Sequence, residues 1–507
     1  MPAFFVENFG CRATQADGAA LERQFEERGL TRAASPSQAS VVILNTCTVT
    51  NGADQDARAA IRRVRRQNPE ARIVVTGCYA QRAPEEIAAL PGVDLVVGNS
   101  HKHQLAEIAI PHVARAWNFV SLERLAGPVL AGGPQGLKPV SDLGSGGTAE
   151  AVPFHGDFEE TPLPGLPKGL SLGGASIESS IFVSDIFAHS ELLAAPVFDA
   201  ANERTRPNLK IQDGCDNRCS FCVIPYVRGQ SRSLAPERIL TEVNTLVNAG
   251  YKEVVISGIN LGRWGKDLAG TAATGRPGER NSRLGLADIV RAILAETTLE
   301  KLRISSVEPM DWTDDLISLV SSSSRIARHA HVPMQSGSDA VLRRMHRKYR
   351  PWHYREKIEK IRAAMPTAAI GADVMVGFPG ETDAEFESTR KMVEELPFTY
   401  LHVFTYSARP GTPAAVMPKQ VPVHVARERN RVLRELASEK KLAFMRSFVG
   451  KTLEAITLNV IGSDAHGEFT EALTDNYLKV RLWGRHEANS WRTVTVQNAV
   501  SGSLVGR

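Results

Sequence analysis

The 507-residue chain is predicted to be an α/β protein with three folded parts and one long insertion. Residues 1–112 alternate short apolar runs with helical patterns, which is typical of a doubly wound parallel sheet. The alternation returns over residues 207–445 with six strand–helix units, which favours a partial (βα)6 barrel of the TIM type. Residues 446–507 alternate apolar and polar positions between turn signals, as in a small antiparallel β-barrel.

The N-terminal strands are predicted from four apolar runs, the kind of run that a strand buried on both faces shows. They are AFFVEN (3–8), VVIL (41–44), IVVTG (73–77) and VDLVVG (93–98). A helix between the first two strands carries Leu21 and Phe25 four positions apart and ends near Gly29. A second helix is predicted to start at Asn51, with Asp54 three residues later.

Residues 113–206 differ in composition, being rich in Gly, Pro and Ser, and are predicted to be a linker or surface insertion. Within them, residues 179–198 resemble a strand and a helix that return to the fold. The barrel strands that follow are LKIQ (209–212), EVVISG (253–258), LRISSV (302–307), HAHVPM (329–334), IGADVMVG (370–377) and LHVFTYS (401–407). Helices are predicted between these strands.

Composition sets few limits on function. The net charge of +4 neither requires nor excludes a nucleic-acid partner. The sequence shows neither a signal peptide nor an apolar stretch of the roughly 20 residues that a membrane span needs, so we expect a cytosolic protein without membrane contact. In a reducing compartment, clustered cysteines indicate metal ligands or catalysts rather than disulfides.

Three of the six cysteines lie in KIQDGCDNRCSFCVIPYVRG (210–229), in the loop after the first barrel strand. Cys215, Cys219 and Cys222 follow the pattern C-x3-C-x2-C. Disulfides need cysteines in pairs, and structural zinc usually takes four ligands. An iron–sulfur cube with three cysteine ligands keeps one iron free, so the spacing favours a cluster over zinc.

The other three cysteines each lie just past the carboxyl end of a predicted N-terminal strand. They are Cys11, Cys47 and Cys78. The carboxyl ends of parallel strands share one sheet edge, where open α/β folds bind ligands. We therefore expect the topology to bring these residues together; the alternative is three unrelated core cysteines.

The C-x3-C-x2-C motif, with Phe221 before its last cysteine, resembles that of the radical S-adenosylmethionine (SAM) superfamily. The resemblance implies that Cys215, Cys219 and Cys222 hold a 4Fe-4S cluster whose open iron binds SAM. Reduction of that cluster would cleave SAM to a 5′-deoxyadenosyl radical.

The whole chain except the insertion resembles the methylthiotransferase family. The matching stretches are FGCRATQADG, NTCTVTN, VTGCYAQ, IQDGCDNRCSFCVIPYVRG, VPMQSGSD and VGFPGET. The resemblance implies that the N-terminal triad holds a second 4Fe-4S cluster, which carries the sulfur, and that the C-terminal barrel is an RNA-binding TRAM domain. Thr14 and Asp17 depart from the asparagine and glutamate expected there, whereas Gln15 matches.

Three substrates are known in this family: isopentenyl-adenosine in tRNA, threonylcarbamoyl-adenosine in tRNA, and an aspartate of a ribosomal protein. NTCTVTN, GCYAQ and IPYVRGQSRS are most similar to the threonylcarbamoyl-adenosine branch. That implies addition of a methylthio group to carbon 2 of adenosine 37, with an electron donor and a sulfur source as further partners. The alternatives are a radical SAM enzyme that only methylates, and a non-catalytic RNA-binding protein with structural zinc.

Further site residues follow from the resemblance and from strand ends. The cofactor candidates besides Phe221 are Ser257, Gly258, Asn260, Glu308 and Gly377. Glu308 is predicted to bond either a ribose hydroxyl of SAM or a structural cation. Arg228, Arg232 and Arg343 are candidates for phosphates or a substrate carboxylate, which threonylcarbamoyl-adenosine has and isopentenyl-adenosine lacks.

Overall fold

The structure is a computed structural model that describes residues 2–110, 180–189, 192, 205–268, 284–464, 467–500 and 502–507. Most of the predicted insertion at 113–206 therefore lies outside the described residues. In the part of the chain that is described, no helix combines the length and the apolar character needed to cross a membrane.

The N-terminal part is a six-stranded, wholly parallel sheet with strand order β2-β1-β3-β4-β5-β6. Its strands are β1 (Ala3–Asn8), β2 (Thr31–Arg32), β3 (Val41–Thr46), β4 (Arg72–Gly77), β5 (Leu95–Gly98) and β6 (Ser180–Phe182). Its helices are α1 (Arg12–Glu26), α2 (Asn51–Gln67), α3 (Cys78–Arg82), α4 (Pro84–Ala88) and α5 (Leu105–Ala109). The four predicted strands are confirmed, and the strand predicted to return to the fold within 179–198 is β6. The short strand β2 adds to them.

The first two helices show how local sequence sets their ends. In α1, Leu21 and Phe25 are fully buried, and the Phe25 ring stacks on Phe4 with 5.1 Å between centroids. The N-cap of α2 is Thr50, one residue before the predicted start, because its side chain accepts a hydrogen bond from the Ala53 amide at 3.2 Å.

The central part is the predicted partial barrel. Its strands are β7 (Asn208–Asp213), β8 (Arg232–Ser233), β9 (Glu253–Gly258), β10 (Lys301–Ile304), β11 (His329–His331), β12 (Ala369–Val376) and β13 (Tyr400–Thr405). All pairs are parallel except β7–β8, and a bridge between Ser306 and His331 links the two halves. The six predicted strands are confirmed as β7 and β9 to β13.

Helices cover the outside of this barrel. They are α6 (Ile224–Arg228), α7 (Pro236–Asn248), α8 (Leu286–Glu296), α9 (Asp314–Ser322), α10 (Asp339–Arg344), α11 (Pro351–Ala364), α12 (Asp383–Glu395) and α13 (Val423–Arg446). Their apolar faces and the strands form one large core that includes the buried Trp264 and Trp312.

The C-terminal part is a closed five-stranded barrel of order β14-β15-β16-β18-β17. Its strands are β14 (Thr452–Asp464), β15 (Gly467–Thr474), β16 (Lys479–Trp483), β17 (Trp491–Val500) and β18 (Ser503–Gly506). The pairs are antiparallel, as predicted, except for β16–β18, which is parallel. Arg303 of β10 binds this barrel by donating to the carbonyls of Asp475 at 3.0 Å and Thr474 at 3.2 Å.

A group of five buried charges, here called the interdomain ion cluster, joins the N-terminal sheet to the central barrel. Asp17 of α1 pairs with Lys102 at 3.1 Å and with Arg228 at 2.9 Å, and it also contacts Lys210 of β7. Asp213 pairs with Lys210 at 2.7 Å and with Arg228 at 3.0 Å. Burial opposes ionisation, yet Arg228 and the lysines hold the pKa values of Asp17 and Asp213 well below their usual range.

Neutralising Asp17 is expected to weaken this junction. Asp17→Asn leaves three buried cations facing one carboxylate, so the free energy of unfolding should fall by about 3 kcal/mol or more. Urea titration measures the change. Glu428→Gln removes a carboxylate that is 59% exposed and paired with Arg431 on α13, and it should leave the unfolding midpoint unchanged. Equal midpoints for the two variants would contradict the stabilising role of the cluster.

The register of β11, β12 and β13 places polar side chains on one face. Gly371 of β12 lies between His331 of β11 and Tyr400 of β13, and Asp373 is the direct neighbour of His402. The Tyr400 ring covers Gly371 so closely that a Cβ added there would overlap the ring. Glycine is therefore required at 371 by the position of Tyr400.

Gly371→Ala should displace the Tyr400 ring and cost about 1–3 kcal/mol of stability, as other overpacked sites do. Urea titration and the near-ultraviolet circular dichroism of tyrosine measure the two effects. Gly52→Ala is the matched control, because a Cβ there meets only the Thr50 hydroxyl at 3.8 Å. A Gly371→Ala protein with the stability and spectrum of the control would show that the ring is free to move.

Candidate functional site

A cavity of about 590 Å³ opens at the carboxyl ends of the barrel strands, and all three folded parts contribute to its lining. The N-terminal part supplies Cys11, Arg12, Ala13 and Val49, and the C-terminal barrel supplies Tyr477. The central barrel supplies the rest of the wall. This is the face at which barrel enzymes carry their active sites.

The cysteines of the central motif lie in the loop between β7 and α6, and all three line the cavity. Gly214 begins the loop with φ +71°, where a Cβ would overlap the Gln230 carbonyl oxygen. The amide of Cys215 donates to the Gly229 carbonyl at 3.0 Å, and the amide of Cys222 donates to Cys219 at 3.1 Å. These contacts fix a tight loop with its sulfur atoms toward the cavity.

Two polar side chains contact the sulfurs of this loop. Asn260 donates to the Cys215 Sγ at 3.5 Å, and Arg347 donates to the Cys219 Sγ at 3.3 Å. Arg347 also pairs with Glu308, which lines the cavity. The guanidinium thus stands between the Cys219 sulfur and the Glu308 carboxylate.

The N-terminal cysteines lie where the sheet topology predicts. Cys11 follows β1, Cys47 follows β3 and Cys78 follows β4. Cys11 is exposed and lines the cavity, whereas Cys47 and Cys78 are buried. A Cβ on Gly10 would lie 2.9 Å from the Cys47 Sγ, so glycine allows this close approach.

The two triads also approach each other. Cys78 packs in one small buried cluster with Val223, the residue after Cys222, and with Val227 of α6. The N-terminal and central cysteines are therefore neighbours in the fold, although more than one hundred residues separate them in sequence.

The thiols suit ligation by a multi-iron cluster. Burial and the nearby Cys78 raise the pKa of Cys47 to about 12, and burial raises the pKa of Cys222 to about 12 as well. A bound cation is therefore needed to stabilise the thiolate form of both side chains.

The spacing of the sulfur atoms distinguishes a cluster from zinc. Zinc holds sulfur at about 2.3 Å, so two sulfurs on one zinc lie within about 4.6 Å. Among the described residues, His331, Asp373 and His402 have their donor atoms within 4.8 Å of one another, and neither cysteine triad does. Wider spacing fits ligands of different irons.

Five of the six cofactor candidates line the cavity: Phe221, Ser257, Gly258, Asn260 and Glu308. The Ser257 Oγ and the Asn260 Oδ1 are buried and lack a hydrogen-bond partner among the described residues. Orphaned polar atoms beside Cys215 are what a polar cofactor would satisfy. The sixth candidate, Gly377, does not line the cavity; its amide donates to Glu381 at 2.7 Å.

The three candidate substrate arginines do not line this cavity in the described structure. Arg228 is 2% exposed and engaged in the interdomain ion cluster. Arg232 donates to the carbonyls of His189 at 2.9 Å and Arg228 at 2.8 Å. Arg343 is exposed on α10 and pairs with Asp339 at 2.8 Å. Their contact with substrate stays a prediction.

The sequence analysis missed the polar residues that do face the cavity. They include Arg12, His329, His331, Arg347, Asp373, Tyr400, His402 and Tyr477. Five of these stand at alternate positions in HAH (329–331), GAD (371–373) and YLH (400–402). These otherwise apolar strands carry polar residues at every second position, so that the polar side chains share one face. That pattern was the sequence signal from which the cavity residues could have been predicted.

Comparison with known proteins identifies two family models along the chain. Residues 3–98 match one described as uncharacterized protein family UPF0004, and residues 209–393 match the radical SAM superfamily. The fold is similar to that of TsrM, a radical SAM methyltransferase from Kitasatospora setae, with a TM-score of 0.52 at 13% identity. That match covers 82% of this chain and 77% of TsrM.

Curated relatives align over nearly the whole chain. It is 34% identical to threonylcarbamoyladenosine tRNA methylthiotransferase MtaB of Bacillus subtilis, over 96% of this chain and 92% of that protein. It is 32% identical to MtaB of Aquifex aeolicus, over 95% of this chain and 97% of that protein. It is also 32% identical to tRNA-2-methylthio-N(6)-dimethylallyladenosine synthase of Novosphingobium aromaticivorans, over 89% of this chain and 86% of that protein. The chain therefore belongs to the radical SAM methylthiotransferase family.

Proposed function

We propose that this protein is a tRNA methylthiotransferase that replaces the carbon-2 hydrogen of threonylcarbamoyl-adenosine at position 37 with a methylthio group. The observation that carries the proposal is the approach of two cysteine triads from separate parts of the chain: Cys11 lines one cavity with the central triad, and Cys78 packs against Val223 beside it. A radical reaction that inserts sulfur needs both a radical source and a sulfur carrier close to one substrate atom. Relatives named for this activity align over nearly the full length.

The two triads have different roles in this proposal. Cys215, Cys219 and Cys222 hold the radical-forming 4Fe-4S cluster, and the N-terminal triad holds the sulfur-bearing one. When bound, the two clusters and SAM supply the electron, the radical, the sulfur and the methyl group. The chain contributes the thiolates, and Arg347 offsets their charge at Cys219.

The cavity wall orients SAM in this proposal. The Ser257 Oγ and the Asn260 Oδ1, both without a partner among the described residues, accept hydrogen bonds from its amino group. A Cβ on Gly258 would lie 2.8 Å from the Gln212 Oε1, so glycine allows Gln212 to pack against this wall. Glu308 bonds the ribose, and Phe221 shapes the rim. Enclosure by three folded parts keeps water from the radical.

RNA is proposed to bind across the mouth of this cavity. The C-terminal barrel, assigned as a TRAM-like domain over residues 446–507, brings Tyr477 into the cavity wall. Arg343 and Arg232 are proposed to meet phosphates, and Arg228 to act through the interdomain ion cluster. The remaining proposed boundaries are 1–112 for the sulfur-carrying domain, 113–206 for the insertion and 207–445 for the radical SAM domain.

The partners and compartment follow from the chemistry. An electron donor and a sulfur source must complete each cycle, and they are separate from the tRNA. The six cysteines are free thiols, which suits a reducing compartment, so we propose that the enzyme acts in the cytoplasm.

Anaerobic reconstitution tests the whole proposal. The protein should bind roughly eight iron with matching sulfide, as two four-iron clusters require. With SAM, reductant and tRNA carrying threonylcarbamoyl-adenosine, digestion and mass spectrometry should find the methylthio nucleoside. Zinc without sulfide would favour an RNA-binding protein. If 5′-deoxyadenosine forms but the nucleoside is unchanged, the substrate would instead be isopentenyl-adenosine tRNA or the ribosomal aspartate. Both are assayed in parallel.

Separate loss of each cluster tests the two roles. Cys47→Ala should abolish the methylthio product while 5′-deoxyadenosine still forms, because only the sulfur carrier is lost. Cys222→Ala should abolish both, since it removes a ligand of the radical-forming cluster. Normal product from Cys47→Ala would contradict the role of the N-terminal triad and would favour an enzyme that only methylates.

A further inference from the structure

The cavity contains a polar wall that neither the cysteines nor the cofactor residues use. It consists of Arg12, His331, Asp373 and His402. Arg12 follows Cys11 directly, and its exposed side chain lines the cavity. With the residues that the structure describes, the Arg12 guanidinium forms neither an ion pair nor a hydrogen bond. A guanidinium that points into a substrate cavity without a partner is available to a ligand anion.

The other members of the polar wall are held in place by the barrel. Asp373 and His402 are register neighbours on β12 and β13, and His331 faces them from β11. The His331 Nδ1 bonds the Ser306 hydroxyl at 3.0 Å, and its Nε2 lies 3.3 Å from the Asp373 carboxylate. His331 is therefore oriented from both sides, while His402 stands beside it with 5.6 Å between ring centroids.

The charge of Arg12 reaches this part of the wall. Burial lowers the pKa of His402, and the neighbouring His331 and Arg12 lower it further. Burial also lowers the pKa of His329 and raises that of Tyr400, and Arg12 acts on both groups. Arg12 also lines the same cavity as the residues of β11 and β13 on which its charge acts.

We propose that the polar wall is the subsite for the amino-acid substituent of the base: Arg12 and His402 bind its carboxylate, and Asp373 accepts a hydrogen bond from its amide N–H or hydroxyl. The inference rests on the proposed function and deepens it, since it names the chemical class that the site selects. A threonylcarbamoyl group offers an anion to the Arg12 guanidinium and to a ring N–H of His402, and it offers a donor to the Asp373 carboxylate. A dimethylallyl group offers neither and would leave these groups desolvated and unpaired.

The test compares two short anticodon stem-loop RNAs. One carries threonylcarbamoyl-adenosine, and the other carries the same base with its carboxylate converted to a carboxamide. The wild-type holoenzyme should prefer the carboxylate RNA by about 10- to 100-fold in kcat/KM and in Kd, the range expected for a hydrogen bond to a charged group. Arg12→Gln should remove that preference, because it should weaken the binding and lower the kcat/KM of the carboxylate RNA alone.

Control variants separate recognition from general damage. Arg390→Gln removes an arginine that is paired with Glu387 at 2.8 Å on α12, and it should keep the wild-type preference. His402→Phe keeps a ring at its site and should reduce the preference in part. Iron content and 5′-deoxyadenosine formation are measured for each variant, so that loss of a cluster is distinguished from loss of recognition.

The possible outcomes decide separately on the subsite and on the function. If Arg12→Gln weakened the binding of both RNAs equally, or if the wild type bound both equally well, the proposal of a carboxylate subsite would be wrong. If no RNA gave a methylthio product but binding kept its dependence on Arg12, the subsite would stand and the proposed reaction would fail. Binding is measured independently of turnover for this reason.

Discussion

The shared cavity depends on the interdomain ion cluster. It joins α1 to β7 and α6 across the boundary between the N-terminal sheet and the barrel, and it is almost wholly buried. Its three cations exceed its two carboxylates by one positive charge. That excess lies close to the N-terminal cysteines, since Arg228 works against the burial that raises the pKa of Cys47. A junction that is costly to bury in isolation thus also supplies positive charge beside the N-terminal cysteines.

Two further buried arginines connect the parts of the chain in the same way. Arg409, in the loop after β13, donates to the Thr48 hydroxyl at 2.7 Å and pairs with Asp54 of α2. Arg303 pairs with Glu253 at 2.7 Å and holds the turn of the C-terminal barrel that presents Tyr477. In each case a guanidinium with several donors satisfies groups from two domains at once. The cavity is therefore a property of the assembled chain, and none of its three parts forms it alone.

This dependence explains what could be predicted from the sequence. The apolar runs of the four N-terminal and six barrel strands are confirmed, because a strand buried on both faces has a local pattern. The strand β2 escaped prediction, since it has two residues and lacks such a run, whereas β6 lies within 179–198, where a returning strand is predicted. Arg228 stands near the cysteine motif in sequence, but its burial against Asp17 is set by the packing of two domains. The direction of the polar residues in HAH, GAD and YLH likewise depends on which face the barrel encloses.

Overall identity does not separate the two tRNA substrates. The chain is 34% identical to one relative named for threonylcarbamoyladenosine and 32% identical to another named for dimethylallyladenosine. Identity over a whole chain averages over many positions that do not meet the substrate. The choice must therefore come from the few side chains that meet the substituent on the base. Apolar walls strengthen the binding of an apolar substituent. Charged side chains that it buries without partners weaken its binding. Arg12, Asp373 and two histidines around one cavity form an environment that a carboxylate with adjacent hydrogen-bond donors can satisfy and a hydrocarbon cannot.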